Sequence, residues 1–218
     1  MANLFIVCGH GGSDPGSVGG GQTEAERVRA LAARVKALGG SSVTVGDTSF
    51  DWYTKGSFNT YAFPKDAQVL ELHMDAFNGS ARGGHVIINA QYNADKYDNA
   101  LASFISVYFP GRSTTISKRS DLANCNICAK RGVSYRLLEC CFIDNTNDRN
   151  KFNANLDTIA TGILAAFDIK ASASTPAPIP SPGTLYRVQV GAYASKSNAN
   201  AMADKLKAAG FDAYITTK

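Results

Sequence analysis

Up to residue 168, short apolar runs alternate with amphipathic repeats, and this alternation restricts the fold more than any other feature of the chain. An apolar run ending at Cys8 is followed by the helical repeat "EAERVRALAARVKALGG" and then by "SVTVGDT", which has strand character. Thr23 is placed to cap that helix and Gly39 to stop it. Further on, "AQVLELHMDA" and "GGHVIINAQY" read as strands, "DKYDNALASFISVYF" as a helix, "GVSYRLLECCFID" as a buried strand and "FNANLDTIATGILAAF" as a closing helix. Such alternation predicts an α/β fold: a mostly parallel or mixed sheet flanked by helices on both faces.

The pattern stops at "ASASTPAPIPSPG", residues 171–183, which is proline-rich, uncharged and without apolar periodicity. That composition predicts an extended, semi-rigid linker. Beyond it, "LYRVQVGAY" alternates with period two, "SNANAMADKLKAAGF" has helical spacing ending at Gly210, and "DAYITTK" starts another strand. The expected organisation is therefore a catalytic-sized domain over 1–170, a linker over 171–183 and a small β-α-β segment over 184–218. The last is too short to bury much core by itself.

With 218 residues, 44% of them hydrophobic and 18% charged, the chain reads as globular. Most of its formal charge of +4 sits in the tail, where Arg187, Lys196, Lys205, Lys207 and Lys218 outnumber Asp204 and Asp212. No basic stripe interleaved with aromatics accompanies it, so nucleic acid is not an expected partner. Nor is a membrane, because no apolar stretch approaches the length of a span. The cysteines, Cys8, Cys125, Cys128, Cys140 and Cys141, are odd in number, which suits a reduced interior better than a disulfide framework. "NCNIC" lacks the second pair that a structural zinc site needs, and is read as a plain loop.

Ionisable groups recur where the strands end. His10 follows the first apolar run, Glu24 opens the first helix, His73 ends "QVLEL", and Glu139 follows "YRLL" inside an apolar strand. In open α/β sheets, reactive groups collect at the carboxyl ends of strands. Taken singly, a histidine at a strand end is most simply structural, and a glutamate in a first helical turn serves the helix dipole. Glu139 resists such a reading, since a charge in an apolar strand must be paired or desolvated at a cost of several kcal/mol.

Together the four suit zinc hydrolysis. Two imidazoles and one carboxylate make a three-ligand site with a position left for water, and a second carboxylate can move the proton. Other readings lack parts. The glycine loop ends "GGGQTE" where a phosphate loop needs Gly-Lys-Ser/Thr, and His10 and Asp14 disturb a dinucleotide fingerprint. "GHGG" has no accompanying G-x-S-x-G elbow. Cys8 and Cys140, as nucleophiles of a Cys-His hydrolase, would be buried and inert.

"FIVCGHGGSDPGSVGGGQTEAE", "LELHMDAFNGSARGGHVII" and "YRLLECCFIDNTNDRNKF" resemble, in order and spacing, the signature blocks of the zinc-dependent N-acetylmuramoyl-L-alanine amidases, the type-3 amidase family. The resemblance spans residues 3–168. It implies a peptidoglycan hydrolase that cuts between the lactyl group of N-acetylmuramic acid and the first alanine of the peptide stem, with zinc as cofactor. It also implies that His10, Glu24 and His73 are metal ligands and Glu139 the catalytic acid/base. Val7 and Cys8 depart from the family's residues before the first histidine, which bears on loop shape rather than ligation. Glu26, two residues past Glu24, is an alternative ligand. His85 fits no ligand position and is read as structural, and the "RSDLANCNICAKRG" segment, with Asn124 and Arg131, has no assigned role.

The tail resembles the first half of a sporulation-related (SPOR) repeat, a peptidoglycan-binding module. Two half-repeats completing one sheet would make the protein a homodimer through the tail. The expected whole is a lytic enzyme tethered to its insoluble substrate. Without a signal peptide before the first strand, the expectation is synthesis in the host cytoplasm and action on the cell wall after release, as in a phage endolysin. A bacterial autolysin or mother-cell lytic amidase is the alternative, and a non-catalytic peptidoglycan-binding protein the rival from another class.

Overall fold

The structure, a computed structural model, describes residues 3–172, 190–208 and 215–216. The chain divides into two compact units, Met1–Ser174 and Thr175–Lys218. In the first, β1 (Asn3–Cys8) leads through a tight glycine loop and a two-stranded ribbon, β2 (Val18–Gly19) with β3 (Gln22–Thr23), into α1 (Glu24–Gly39). There follow β4 (Val43–Val45), α2 (Ser57–Thr60), β5 (Ala67–Asp75), β6 (His85–Asn89), α3 (Lys96–Tyr108), β7 (Ile116–Arg119) and α4 (Ala123–Lys130). β8 (Ser134–Phe142), α5 (Thr146–Ala154) and α6 (Leu156–Ala166) complete it.

Six strands form one sheet in the order β4-β1-β5-β8-β6-β7. β4, β1, β5 and β8 are mutually parallel, β6 runs antiparallel to β8, and β7 is parallel to β6. The sheet is thus mixed and mostly parallel, as the alternation predicts. Successive side chains of a strand point to opposite faces. One face therefore collects Leu4 and Ile6 of β1, Leu70, Leu72 and Met74 of β5, Val86 and Ile88 of β6, and Leu138 and Cys140 of β8. These pack against the apolar stripes of α1 (Val28, Leu31, Val35, Leu38), α3 (Leu101, Ile105) and α6 (Ile159, Ile163). Each such buried aliphatic side chain contributes roughly 1.5–3 kcal/mol.

The other face carries a smaller cluster, with Phe5, Val7 and Val69 of the sheet meeting Trp52, Phe58 of α2 and Cys128 of α4. The C-terminal halves of β5 and β8 on this side take no part in it. A register shift between His73 and Asp75 opposite β8 marks a bulge, which lets the consecutive Cys140 and Cys141 both join the helix-side cluster.

Several local expectations change in the structure. "NCNIC" is not a loop but the body of α4, because Cys125 and Cys128 lie one helical turn apart and both face inward. The helix α1 runs through Gly39 and ends on Gly40, whose φ of 56° is the conformation glycine tolerates. The closing helix is broken at Asn155, where φ is −136° and the side-chain amide donates to Lys151 O (2.9 Å). All five cysteines are free and buried.

In the second unit the described residues form α7 (Lys196–Ala208), where a helix is expected, while 190–193 are irregular. The rest of the expected strand over 185–193, most of the one starting at 212, the stop at Gly210 and most of the 171–183 linker lie outside the described residues. Among the described residues no helix is long and apolar enough to cross a membrane.

Candidate metal centre

The glycine loop brings the first histidine to the sheet. His10 has a left-handed backbone, φ 59°, a conformation that costs a non-glycine residue roughly 1–2 kcal/mol. It is held there by reciprocal backbone hydrogen bonds between Gly11 and Asp14 (2.9 and 3.0 Å) and by Arg29 of α1, whose guanidinium donates to the carbonyls of His10 (2.8 Å) and Gly9 (3.3 Å). Asp14 Oδ2 lies 2.8 Å from His10 Nδ1, which turns Nε2 toward Glu24 Oε1 at 3.3 Å.

The start of α1 selects which glutamate joins that histidine. Thr23 Oγ1 accepts from Glu26 N and Glu26 Oε2 from Thr23 N, both at 3.3 Å, so Glu26 is engaged in a capping box. Glu24, the first residue of the helix, turns inward and is 2% exposed. Its Oε2 accepts from Ser17 N (3.0 Å), and its Oε1 accepts from Met74 N (2.9 Å) and sits 2.8 Å from His73 Nδ1.

The structure therefore brings His10, Glu24 and His73 together, with one ligand-type atom from each lying within 4.8 Å of the others. The space is kept by missing side chains. A Cβ on Gly9 would stand 2.3 Å from His73 Cε1, and one on Gly16 would stand 2.6 Å from His10 Cδ2 and 2.8 Å from Glu24 Oε2. Burial works against the charge on Glu24, yet the hydrogen bonds from His10 and His73 outweigh it and hold the carboxyl far below its usual range. His10 is pushed up to about 9, chiefly by its hydrogen bond to Glu24. Burial likewise opposes a charged His73, but Glu24 and Glu71 prevail and raise it well above the ordinary value. A carboxylate that holds two imidazoles protonated is a donor set that a divalent cation can take over from the protons.

Glu139 pairs in register with His73 across β5 and β8, strands about 4.8 Å apart. Its Oε2 is buried without a hydrogen-bond partner among the described residues. Burial pushes its carboxyl up to about 7, against the pull of His73. On its other side Glu139 pairs with His85 of β6. His85 is buried beside Glu139 and outside the three-residue cluster, and burial lowers its pKa. Both His73 and Glu139 lie within their strands rather than past the ends, on the face that the large helices do not cover.

Sequence reasoning missed several contributors. Arg29 pins the His10 loop, and Arg112 pairs with Asp75, lies over the Phe142 ring at 4.5 Å and acts electrostatically on Glu139. Glu71 of β5 lies 3.4 Å from His73 Nε2. Its signal, a charge inside an apolar run, is the same as that of Glu139. Burial pushes the Cys8 thiol up to about 11 and holds that of Cys140 well above the usual value, so neither is a nucleophile.

Comparison with known proteins bears on this site. The N-acetylmuramoyl-L-alanine amidase family matches residues 4–168, and the SPOR domain matches residues 163–218. The chain is 31% identical over 236 residues to a probable autolysin of Staphylococcus aureus, with 87% of this chain covered but only 47%, about half, of that protein. It is 26% identical to a sporulation-specific N-acetylmuramoyl-L-alanine amidase of Bacillus subtilis over 100% of this chain and 86% of that one. Among solved structures, the CwlD amidase of Clostridioides difficile, in complex with the GerS lipoprotein, shares the fold with a TM-score of 0.63 at 15% identity, covering 76% of this chain and 96% of that one.

Proposed function

The chain belongs to the N-acetylmuramoyl-L-alanine amidase family, and from that premise we propose that it is a zinc hydrolase cutting the amide bond between N-acetylmuramic acid and L-alanine in peptidoglycan. The observation that carries this reading is the convergence of His10, Glu24 and His73 beside Glu139. Two imidazole nitrogens and a carboxylate oxygen are the donor set of a catalytic zinc, and Gly9 and Gly16 leave room where a side chain would intrude. When bound there, zinc supplies Lewis-acid polarisation of a carbonyl and a more acidic water.

The chain's own residues do the rest. Asp14 orients His10, and the capped start of α1 holds Glu24 between the two imidazoles. Glu139, with one oxygen unpaired and its carboxyl raised to about 7, is suited to take a proton from the attacking water and return it at neutral pH. The carbon–oxygen bond forms at the lactyl carbonyl, the carbon–nitrogen bond breaks, and the proton held on Glu139 goes to the leaving alanine nitrogen. The buried Oε2 of Glu139, unpaired among the described residues, favours an enzyme over a non-catalytic wall-binding protein.

The tail, which the SPOR domain matches, is proposed to hold the enzyme on the wall, its site of action, and to pair two chains. A sedimentation mass of one chain at micromolar concentration would refute the pairing. The hydrolytic reading is tested on purified walls. Mass spectrometry should find new N-terminal alanine and no new reducing sugar, and chelation should stop the clearing of turbidity. Clearing that survives zinc removal, or new reducing ends, overturns it.

A further inference from the structure

Glu71 is a buried charge that the chemistry above does not use. It lies two residues before His73 in β5, so both side chains project from the same face of the sheet. It is 2% exposed, and a carboxylate so placed is costly unless it is paired. Its partners come from two elements. Tyr135 of β8 donates its hydroxyl to Oε2, and Asn124 in the first turn of α4 donates Nδ2 to Oε1 and Oε2 at 3.0 and 3.3 Å. So anchored, Oε1 faces His73 Nε2 at 3.4 Å.

We propose that Glu71 is a positioning residue for the metal centre: when a cation takes the place of the proton between His73 Nδ1 and Glu24, Glu71 keeps the remaining imidazole proton on Nε2 and so leaves the Nδ1 lone pair to the cation. The proposal rests on the zinc reading given above. A neutral imidazole has one donor and one acceptor nitrogen, and an ionised carboxylate only accepts. With Glu71 facing Nε2, the other tautomer sets a lone pair against a carboxylate. Were zinc bound, it would also turn an N–H toward the cation.

His10 shows the same arrangement in reverse. There the outer carboxylate, Asp14, faces Nδ1 at 2.8 Å, and Nε2 turns toward Glu24. Each imidazole thus has its own outer carboxylate, on opposite nitrogens. The anchors of Glu71 also give Asn124 a role: it fixes the carboxylate that fixes the histidine.

Two measurements on the full chain test this. Long-range proton–nitrogen NMR of the zinc-loaded protein, which has three histidines to assign, should show His73 protonated on Nε2 and His10 on Nδ1. In chelator competition, Glu71→Gln should bind zinc about 10–100-fold more weakly than the wild type, while Leu138→Ala, a destabilising change on the opposite face of the sheet, stays near it. A His73 proton on Nδ1, or a Glu71→Gln variant that loses stability but keeps wild-type zinc affinity, overturns the proposal. The tautomer measurement needs no variant, so a misfolded mutant does not rescue it. A wild-type protein that binds no zinc at all would instead overturn the metal reading beneath it.

Discussion

The two faces of the central sheet are built by the same strands and carry opposite chemistry. On one, Leu70, Leu72 and Met74 of β5 and Leu138 and Cys140 of β8 are sealed under α1, α3 and α6. On the other, the intervening residues of those strands are Glu71, His73 and Glu139, with His85 completing the row from β6. A slip of one residue in either strand would bury the ionisable set under the helices and expose the apolar one. The dry face therefore fixes the register, and the reactive face inherits its geometry from a core it does not belong to.

This contrast can be broken from either side. The largest effect is expected on the reactive face, where Glu139→Gln should lower hydrolysis about 10²–10⁴-fold, the range for a lost general acid/base, while zinc content stays at the wild-type level. Loss of zinc in that variant would make Glu139 a ligand instead. Next, zinc at a thousand times its dissociation constant should stabilise the folded wild type by about 4 kcal/mol, read as a shift in the thermal midpoint. His73→Ala should show no such shift, and one that persists would detach His73 from the metal.

On the dry face, Leu138→Ala should cost about 2–5 kcal/mol in denaturant unfolding, without changing the zinc affinity of the molecules that remain folded. A weakened affinity would mean that the core sets the site's geometry more tightly than the register argument requires. The smallest effect belongs to the junction between them. Thr23→Ala removes the cap of α1 and should cost about 1 kcal/mol. Because α1 starts at Glu24, zinc binding should weaken along with stability, and a purely thermal effect would separate the cap from the site.

The residues of the candidate site were legible for particular reasons. Glu139 stands out because a carboxylate in an apolar strand is costly, and His10 because a glycine-rich turn displays it. Glu71 carries the same mark as Glu139, but its spacing of two from His73 tells only that they share a face, not that its carboxylate meets the imidazole. "NCNIC", expected as a plain loop, is helical because its two cysteines, three apart, are small apolar groups on one side of α4. The break at Asn155 was hidden because an asparagine inside an apolar repeat reads as a surface position, while its side chain here competes for a backbone carbonyl.

By itself the sequence determined the main periodicities: most of the strands and helices around the site, and hence that Glu71 and His73 share a face while Leu72 takes the other. It also placed the polar groups near strand ends, and its blocks carried the family resemblance. Only the tertiary structure decided the strand order β4-β1-β5-β8-β6-β7 and the reversal of β6 and β7. It alone placed residues 10, 24 and 73 around one point with residue 139 beside them in register, chose Glu24 over Glu26, and set which nitrogen of each histidine meets which carboxylate. The physical reason is range. Periodicity is written in neighbours along the chain, whereas a side chain's partner comes from whichever distant segment the core packs beside it.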